Sequence, residues 1–454
     1  MAEGNKKISA VMADYIAGFD LASAPPTVVD RARIAFIDTI GVMLAGSHEE
    51  VSHLMVEMVK EEASAPQATI VGQSLRASPQ LAALADGVAS HAMDYDLTYI
   101  SGQAIAAVVP AILPLAETSG ATPAEMIAAY IVGAEIGGRV ARANFKASSV
   151  GGWHTTGMVG AVAAAAAAAR LLKVPVKAIP NVLGISTSLA SGISGNFATM
   201  TKPLHCGNAA RSGVAAAQLG RRGFTASPIA FEAKAGYFNT FGRGLDVSLE
   251  PFKDLGSRYD LVSSRFDLKA FPCGGLTHTS IEAALELRDK LGSRLSAIKG
   301  IHCSVTANAG QRAGTQYPAT VENAKFSVAY LVPYALIHGA PRIAAFTAKA
   351  LQDEQIKALA KTVTASVDPA LGPGTNGSPA VIKVTLADGE VVEARKDFAS
   401  GSAKSPMTTA QIEEKFLDCA MQIMSKDAAR KVYAFLDALP SQRSLDPLWP
   451  MLRR

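Results

Sequence analysis

GMVGAVAAAAAAARLL, residues 157–172, decides the fold class of this chain. Alanine has the highest helix propensity of any residue, and the run shows none of the polar–apolar alternation of a half-buried strand. EMIAAYIVGAEIGGRVARA, residues 125–143, reads in the same way. The alanine run is apolar on every side, the pattern of a helix buried in the core. Arg170 interrupts the first run. It therefore falls short of the ~18 consecutive apolar residues of a membrane span.

Working outward, residues 8–45 read as two helices, the second closed by glycine. Helical signal continues over 76–250, broken at turns by Gly, Pro, Ser and Asn. Within it, ISTSLASGISG at 185–195 is a small-residue segment that lets another backbone or a ligand come close. After about 265 the character changes. IKGIHCSVTANAG reads as a strand, AKTVTASVDPAL and VIKVTLADGEVVEARKDF alternate apolar with polar residues, and Asp388-Gly389 signals a hairpin turn. TVENAKFSVAYLVPYALIHG is helical, with Pro333 as a kink or a start. Two C-terminal runs return to helix. The expected architecture is mainly α: a large helical domain from 1–265 and 401–454, with a smaller α/β domain, 266–400, inserted.

A chain of 454 residues exceeds the size of one hydrophobic core. Hydrophobic residues make up 49% and charged residues 18%, which argues against disorder. A net charge of +4, with no basic block and no basic–aromatic interleaving, argues against nucleic acid as a partner. The four cysteines form no CxxC pair and no disulfide framework, as expected of reduced thiols in a cytoplasmic protein. The polar start MAEGNKK has no signal-peptide core, and no membrane partner is expected.

Five stretches concentrate ionisable residues among glycines and apolar neighbours: ASHAMDYDLTY with His91, Asp94, Asp96 and Thr98; GGWHTTG with His154; TKPLHCGNAARSG with Lys202, His205 and Arg211; DLKAFPCGGLTHTSIEA with Lys269, Cys273 and His278; and TQYPATVENAKFS with Tyr317 and Lys325. Lysine and arginine neutralise carboxylates, and a histidine moves protons near neutral pH. These are the residue types of a site that removes or delivers a proton beside a carboxylate. Blander readings stand beside these. His48, His53, His302 and His338 read as structural, Asp96 as a helix cap or the partner of a surface lysine, and Lys325 as a solvated face residue. Arg211 reads equally as an ion-pair member or a ligand contact. No dinucleotide fingerprint, P-loop, GxSxG elbow, HExxH or paired-cysteine zinc motif appears, and no cysteines are spaced for an iron–sulfur cluster. A cofactor-free mechanism is the remaining reading.

In this order the stretches resemble the MmgE/PrpD family, whose members include 2-methylcitrate dehydratase, cis-aconitate decarboxylase and iminodisuccinate epimerase. HAMDYDLTY resembles its H-A-x-D-[YF]-D-[DN]-T motif, and GWHTTGMVGAVAAAAAAARLL its G-[FW]-H-x-T motif. MTKPLHCGNAARSGVAAA is similar to K-x-[LM]-H-x-G-x-A-A, KAFPCGGLTH to P-C-G-x-x-H, and PATVENAKFSVAYLV to P-x-T-x-x-A-[KQ]-F-S. The likeness runs from about residue 8 to about 440. It implies a homodimer with a cofactor-independent, metal-free site in a cleft between two domains. It places Asp94, His154, Lys202 and Lys269 as catalytic candidates. Thr98, Gln103, His205, Cys273, His278 and Tyr317 become candidate substrate contacts. By resemblance Lys202 and Lys269 hold substrate carboxylates, Asp94 or His154 moves the proton, and Thr98 positions a carboxylate or water. Two positions depart from the pattern: Leu97 replaces an acidic or amide residue, and Gln103 stands where many members have histidine. Glutamine hydrogen-bonds but does not transfer protons at neutral pH. The reaction expected first is a hydro-lyase dehydration of a 2-methylcitrate-like acid. Dicarboxylate epimerisation (an isomerase), cis-aconitate-type decarboxylation and simple polycarboxylate binding are the alternatives.

Overall fold

The computed structural model describes residues 7–100, 102–144, 151–243, 245–314, 316–374 and 378–454. It is mainly helical, with small sheets. Backbone proximity divides it into two compact units, Met1–Phe266 with Thr409–Arg454, and Asp267–Thr408.

The first unit is built on long helices. Those at Pro26–Gly46, Pro79–His91 and Pro123–Ala143 each carry proline in the first turn, where its missing N–H costs nothing. The last is also closed by a capping box between Thr122 and Glu125. Thr155–Leu171 is buried at every position but Arg170 and packs against Pro123–Ala143 and Thr201–Arg221. Arg170 donates to the carbonyls of Ala17 and Phe19, so the charge that breaks the alanine run ties off the end of the Ile8–Gly18 helix.

Small residues set how closely these helices approach. Where Pro79–His91 crosses Thr201–Arg221, a Cβ on Gly87 would stand 2.6 Å from the Cα of Gly207. No larger residue fits that crossing without parting the helices, and the helices it joins carry His91 at one end and Lys202 with His205 on the other side. The C-terminal helix Thr409–Ala420 returns to pack against Pro26–Gly46.

The second unit has a four-stranded sheet in the order Val363–Val367, Ile298–Val305, Ala380–Leu386, Val391–Lys396. The first pair is parallel and the others antiparallel. The last two strands form a hairpin around Asp388-Gly389, with Gly389 at positive φ. The helices His278–Leu291 and Val328–His338 share the core of this sheet through Ile281, Leu287, Leu331 and Leu336.

The structure departs from two expectations in this unit. The run around Pro333 divides at Lys325–Ser327 rather than at the proline, which lies inside Val328–His338. Lys325 is not a solvated face residue: it is buried, and its carbonyl accepts the Gly274 N–H at 2.8 Å. The break in the helix turns the Lys325 backbone toward the 273–276 segment, against which Phe326 also packs. Among the described residues no helix is long and apolar enough to cross a membrane.

Candidate active site

The HAMDYDLTY segment leaves the end of Pro79–His91 as a buried turn. Asp94 adopts φ 53°, a left-handed conformation that aspartate tolerates better than most residues. Ile100 adopts φ 56°, which a β-branched side chain rarely takes. Strain of this kind persists only where surrounding contacts hold it. Those contacts come from far away in sequence. Lys415 Nζ donates to Asp38 Oδ1 at 2.6 Å and to the Tyr95 carbonyl at 2.9 Å, and it lies 4.1 Å from the centre of the Tyr95 ring. Asp38 Oδ2 in turn accepts the Leu97 N–H at 3.1 Å.

Against this turn stand two helix starts. His154 occupies the N-cap of Thr155–Leu171 without capping it through its side chain. Its N–H donates to the Gly192 carbonyl at 3.0 Å. Lys202 and His205, three apart in the first turns of Thr201–Arg221, share one helix face.

The side chains converge. Lys202 Nζ donates to Asp94 Oδ1 at 2.7 Å, and Gln103 Nε2 reaches the same oxygen at 3.4 Å. His91 Nδ1 and Asp96 Oδ2 are 2.9 Å apart. His154 and His205 meet Nδ1 to Nδ1 at 2.9 Å. The His91 and His154 rings stack with centroids 5.5 Å apart, and Phe197 lies edge-on to His154 at 4.8 Å. The expectation that Asp96 caps a helix or meets a surface lysine is thus overturned. Asp96 is buried, and the turn aims it back at the imidazole five residues earlier. Among the described residues no three His, Cys, Asp or Glu side chains are grouped to hold a metal ion.

Burial holds both His91 and His154 below the ordinary histidine pKa. For His154 the neighbouring His91, Lys202 and His205 push in the same direction, while Asp94 opposes them. His205 is lowered by burial and by His91 and Lys202. All three are therefore neutral imidazoles at physiological pH, each with one N–H and one lone pair. A neutral His91 that donates Nδ1–H to Asp96 presents its Nε2 lone pair, a buried atom with no hydrogen-bond partner among the described residues.

A pH dependence of stability results. Below the free value of 6.5 an unfolded chain binds protons that the folded His154 refuses. This contribution to stability is complete above that value and is lost as pH falls below it. Glu135, pushed up to about 7 by burial, works with the opposite sign but is common to wild type and variant. The expected result is that H154N loses less Tm than wild type between about pH 7.5 and about pH 5.5. Equal losses, read by differential scanning calorimetry, would remove His154 from the buried cluster.

Sequence comparison decides the family. The profile of the MmgE/PrpD N-terminal domain matches residues 10–250, and that of the MmgE/PrpD C-terminal domain matches residues 271–439. The chain belongs to the MmgE/PrpD family. Relatives include cis-aconitate decarboxylase of Homo sapiens, 27% identical over 99% of this chain and 95% of that protein. The Mus musculus cis-aconitate decarboxylase is 25% identical over 99% and 94% of the two chains. The Aspergillus terreus cis-aconitate decarboxylase is 24% identical over 94% and 92%.

Within this MmgE/PrpD chain the first unit brings together Asp94, Gln103, Lys202, His154 and His205. Thr98 is buried beside them in sequence, next to Tyr99, which bridges to Gln103. The second unit holds the remaining candidates. Lys269 is buried, and the thiol of Cys273, wholly enclosed, lies 3.5 Å from Thr277 Oγ1. His278 Nε2 is 3.4 Å from the Cys273 carbonyl, with the Phe271 ring edge-on to it. Tyr317 donates its hydroxyl to the Leu351 carbonyl at 2.9 Å. Arg211 donates to Asn208 Oδ1 at 3.0 Å, a contact within its own helix. Of the histidines read as structural, His302 bonds Thr364 and Ser366 across strands, His338 pairs with Asp353, and His48 and His53 meet edge to face.

Sequence reasoning missed Asp38 and Lys415. The two are 377 positions apart, and nothing in either neighbourhood marks them. The one available signal is their chemistry: a charged residue at an otherwise apolar position of a helix needs a buried partner.

Proposed function

We propose that this chain is a cofactor-independent lyase that removes CO2 from a small unsaturated polycarboxylate of the cis-aconitate type. The observation that carries the reading is a cation locked on a carboxylate, Lys202 on Asp94 at 2.7 Å, beside two hydrogen-bonded neutral histidines. An anionic substrate carboxylate that enters exchanges with Asp94 for the ammonium of Lys202. Loss of CO2 from a β,γ-unsaturated acid leaves an allylic carbanion and requires one proton donor, which the N–H of a neutral histidine supplies. The names of the relatives support decarboxylation ahead of the dehydration expected first from sequence.

A second reading is proton abstraction without decarboxylation, in dehydration of a 2-methylcitrate-like acid or epimerisation of a dicarboxylate. The observation favouring it is the His91–Asp96 pair, a base oriented by a carboxylate as in other general-base dyads. Gln103 offers only an amide, which leaves either reaction to the three histidines of the cluster.

Proton NMR in heavy water separates the two. With cis-aconitate the expected result is a pair of 1,1-disubstituted alkene signals, one deuterium in the adjacent methylene, and release of CO2. An alkene formed from 2-methylcitrate without CO2, or α-deuterium exchange in a dicarboxylate, would move the assignment to the second reading. A folded protein that changes none of these acids would overturn both.

A further inference from the structure

The His154–His205 pair connects two different surroundings. His154 is buried among His91, Phe197 and the Lys202–Asp94 ion pair. His205 stands on the wall of a cavity of about 470 Å³, which Ser191, Gly192, Asn208 and Arg211 also line. Part of that wall is polar, beside the apolar Met55, Met58 and Leu84: Asn208 Nδ2 donates to Ser191 Oγ at 3.2 Å, and Arg211 donates to Asn208 Oδ1 at 3.0 Å. Nearby Ile193 and Leu204 are exposed, so the cavity opens to water.

The pair is built to hold one geometry. Gly192 has φ +111°, and a Cβ there would stand 3.0 Å from the His205 ring. Only glycine takes that backbone conformation readily and leaves the ring in place. The Gly192 carbonyl meanwhile accepts the His154 N–H, so one residue positions both rings. A bond between two Nδ1 atoms requires one to donate and the other to accept, so the two neutral rings carry opposite tautomers. With both Nδ1 atoms committed, each ring keeps its Nε2 for exchange elsewhere.

We propose that His205 and His154 form a two-histidine relay that carries a proton from water in the Ser191–Arg211 cavity to the reacting carbon of the substrate. The step balances. The C–CO2 bond breaks, and its electron pair takes the Nε2 proton of His154. His154 Nδ1 receives the Nδ1 proton of His205, and His205 Nε2 receives a proton from cavity water. The hydroxide left behind combines with the released CO2 as bicarbonate. The pair ends in the reversed tautomers and resets by exchange with water when product leaves. The relay rests on the reading of His154 as proton donor, and it gives this chain a route for the proton although residue 103 is glutamine.

Two variants test it. In His205→Gln, kcat falls by about 10²-fold with KM held within about twofold, since the amide hydrogen-bonds but does not relay. In His205→Ala, imidazole added to the assay enters the emptied place and restores kcat in proportion to its concentration. A merely structural histidine would lower Tm and raise KM without imidazole rescue. Wild-type kcat in His205→Gln, or no response of His205→Ala to imidazole, overturns the relay. Nitrogen-15 spectra of histidine-labelled wild type give a second readout that needs no turnover. Opposite tautomers for His154 and His205, lost in His205→Gln, support the relay, and identical tautomers overturn it. If wild type acts on no acid, the proposed function fails and these spectra decide the relay alone.

Discussion

Lys202→Met is expected to lower kcat/KM by about 10³-fold or more, the scale of losing a preorganised charge at a reacting centre. Lys202 and Asp94 retain only 13% and 10% of their side-chain exposure, so neither charge is well solvated. Removing the ammonium takes away the group that would hold a substrate carboxylate. It also takes the Lys202 ammonium away from the Asp94 carboxylate, in a turn already at positive φ. Breaking a buried pair from one side costs roughly 3–5 kcal/mol, and the residual exposure here places the cost near the lower end. The variant should therefore unfold at lower temperature, and it should regain stability when Asp94→Asn is added. Activity should not return in that double variant, because the charge that binds substrate is still absent. A Lys202→Met enzyme with wild-type kcat/KM would remove Lys202 from the reaction.

Lys415→Met is expected to produce the second largest effect although Lys415 is assigned no contact with substrate. Its ammonium satisfies Asp38 and the Tyr95 carbonyl, and Asp38 holds the Leu97 N–H. These bonds fix the backbone on both sides of Asp96. Burial pushes the Asp38 pKa up, and Lys415 is the main force opposing that rise. Without Lys415, Asp38 takes up a proton on folding. The stability deficit should then be largest above neutral pH and shrink as pH falls. At pH 7 the loss is about 3–5 kcal/mol. kcat should fall with Tm, because the His91–Asp96 bond depends on the same turn. Asp38→Asn combined with Lys415→Met should cost less than the sum of the single changes, as for any directly bonded pair. Additive losses, or an unchanged kcat in Lys415→Met, would refute the positioning role.

Much of the helical character is legible in the residues alone. The two helices read in 8–45 are Ile8–Gly18 and Pro26–Gly46, and the alanine run forms a fully packed helix. The Asp388-Gly389 hairpin is equally readable, because its turn chemistry is local. The helix break ahead of Val328 is less so. Proline is the visible breaker in that run, yet the interruption falls where Lys325 and Phe326 pack on Gly274, a contact across some fifty positions that no local pattern encodes.

The sequence by itself determined the family and the kinds of side chain available for acid–base chemistry, because each rests on composition and short spacing. Only the tertiary structure decided which groups meet. It set Lys202 on Asp94 across 108 positions, His154 on His205 across 51, and Lys415 on Asp38 across 377. Charge state belongs with these, since a histidine's proton affinity depends on how much water its neighbours exclude and on which charges face it. Both are properties of packing, and packing has no address along the chain.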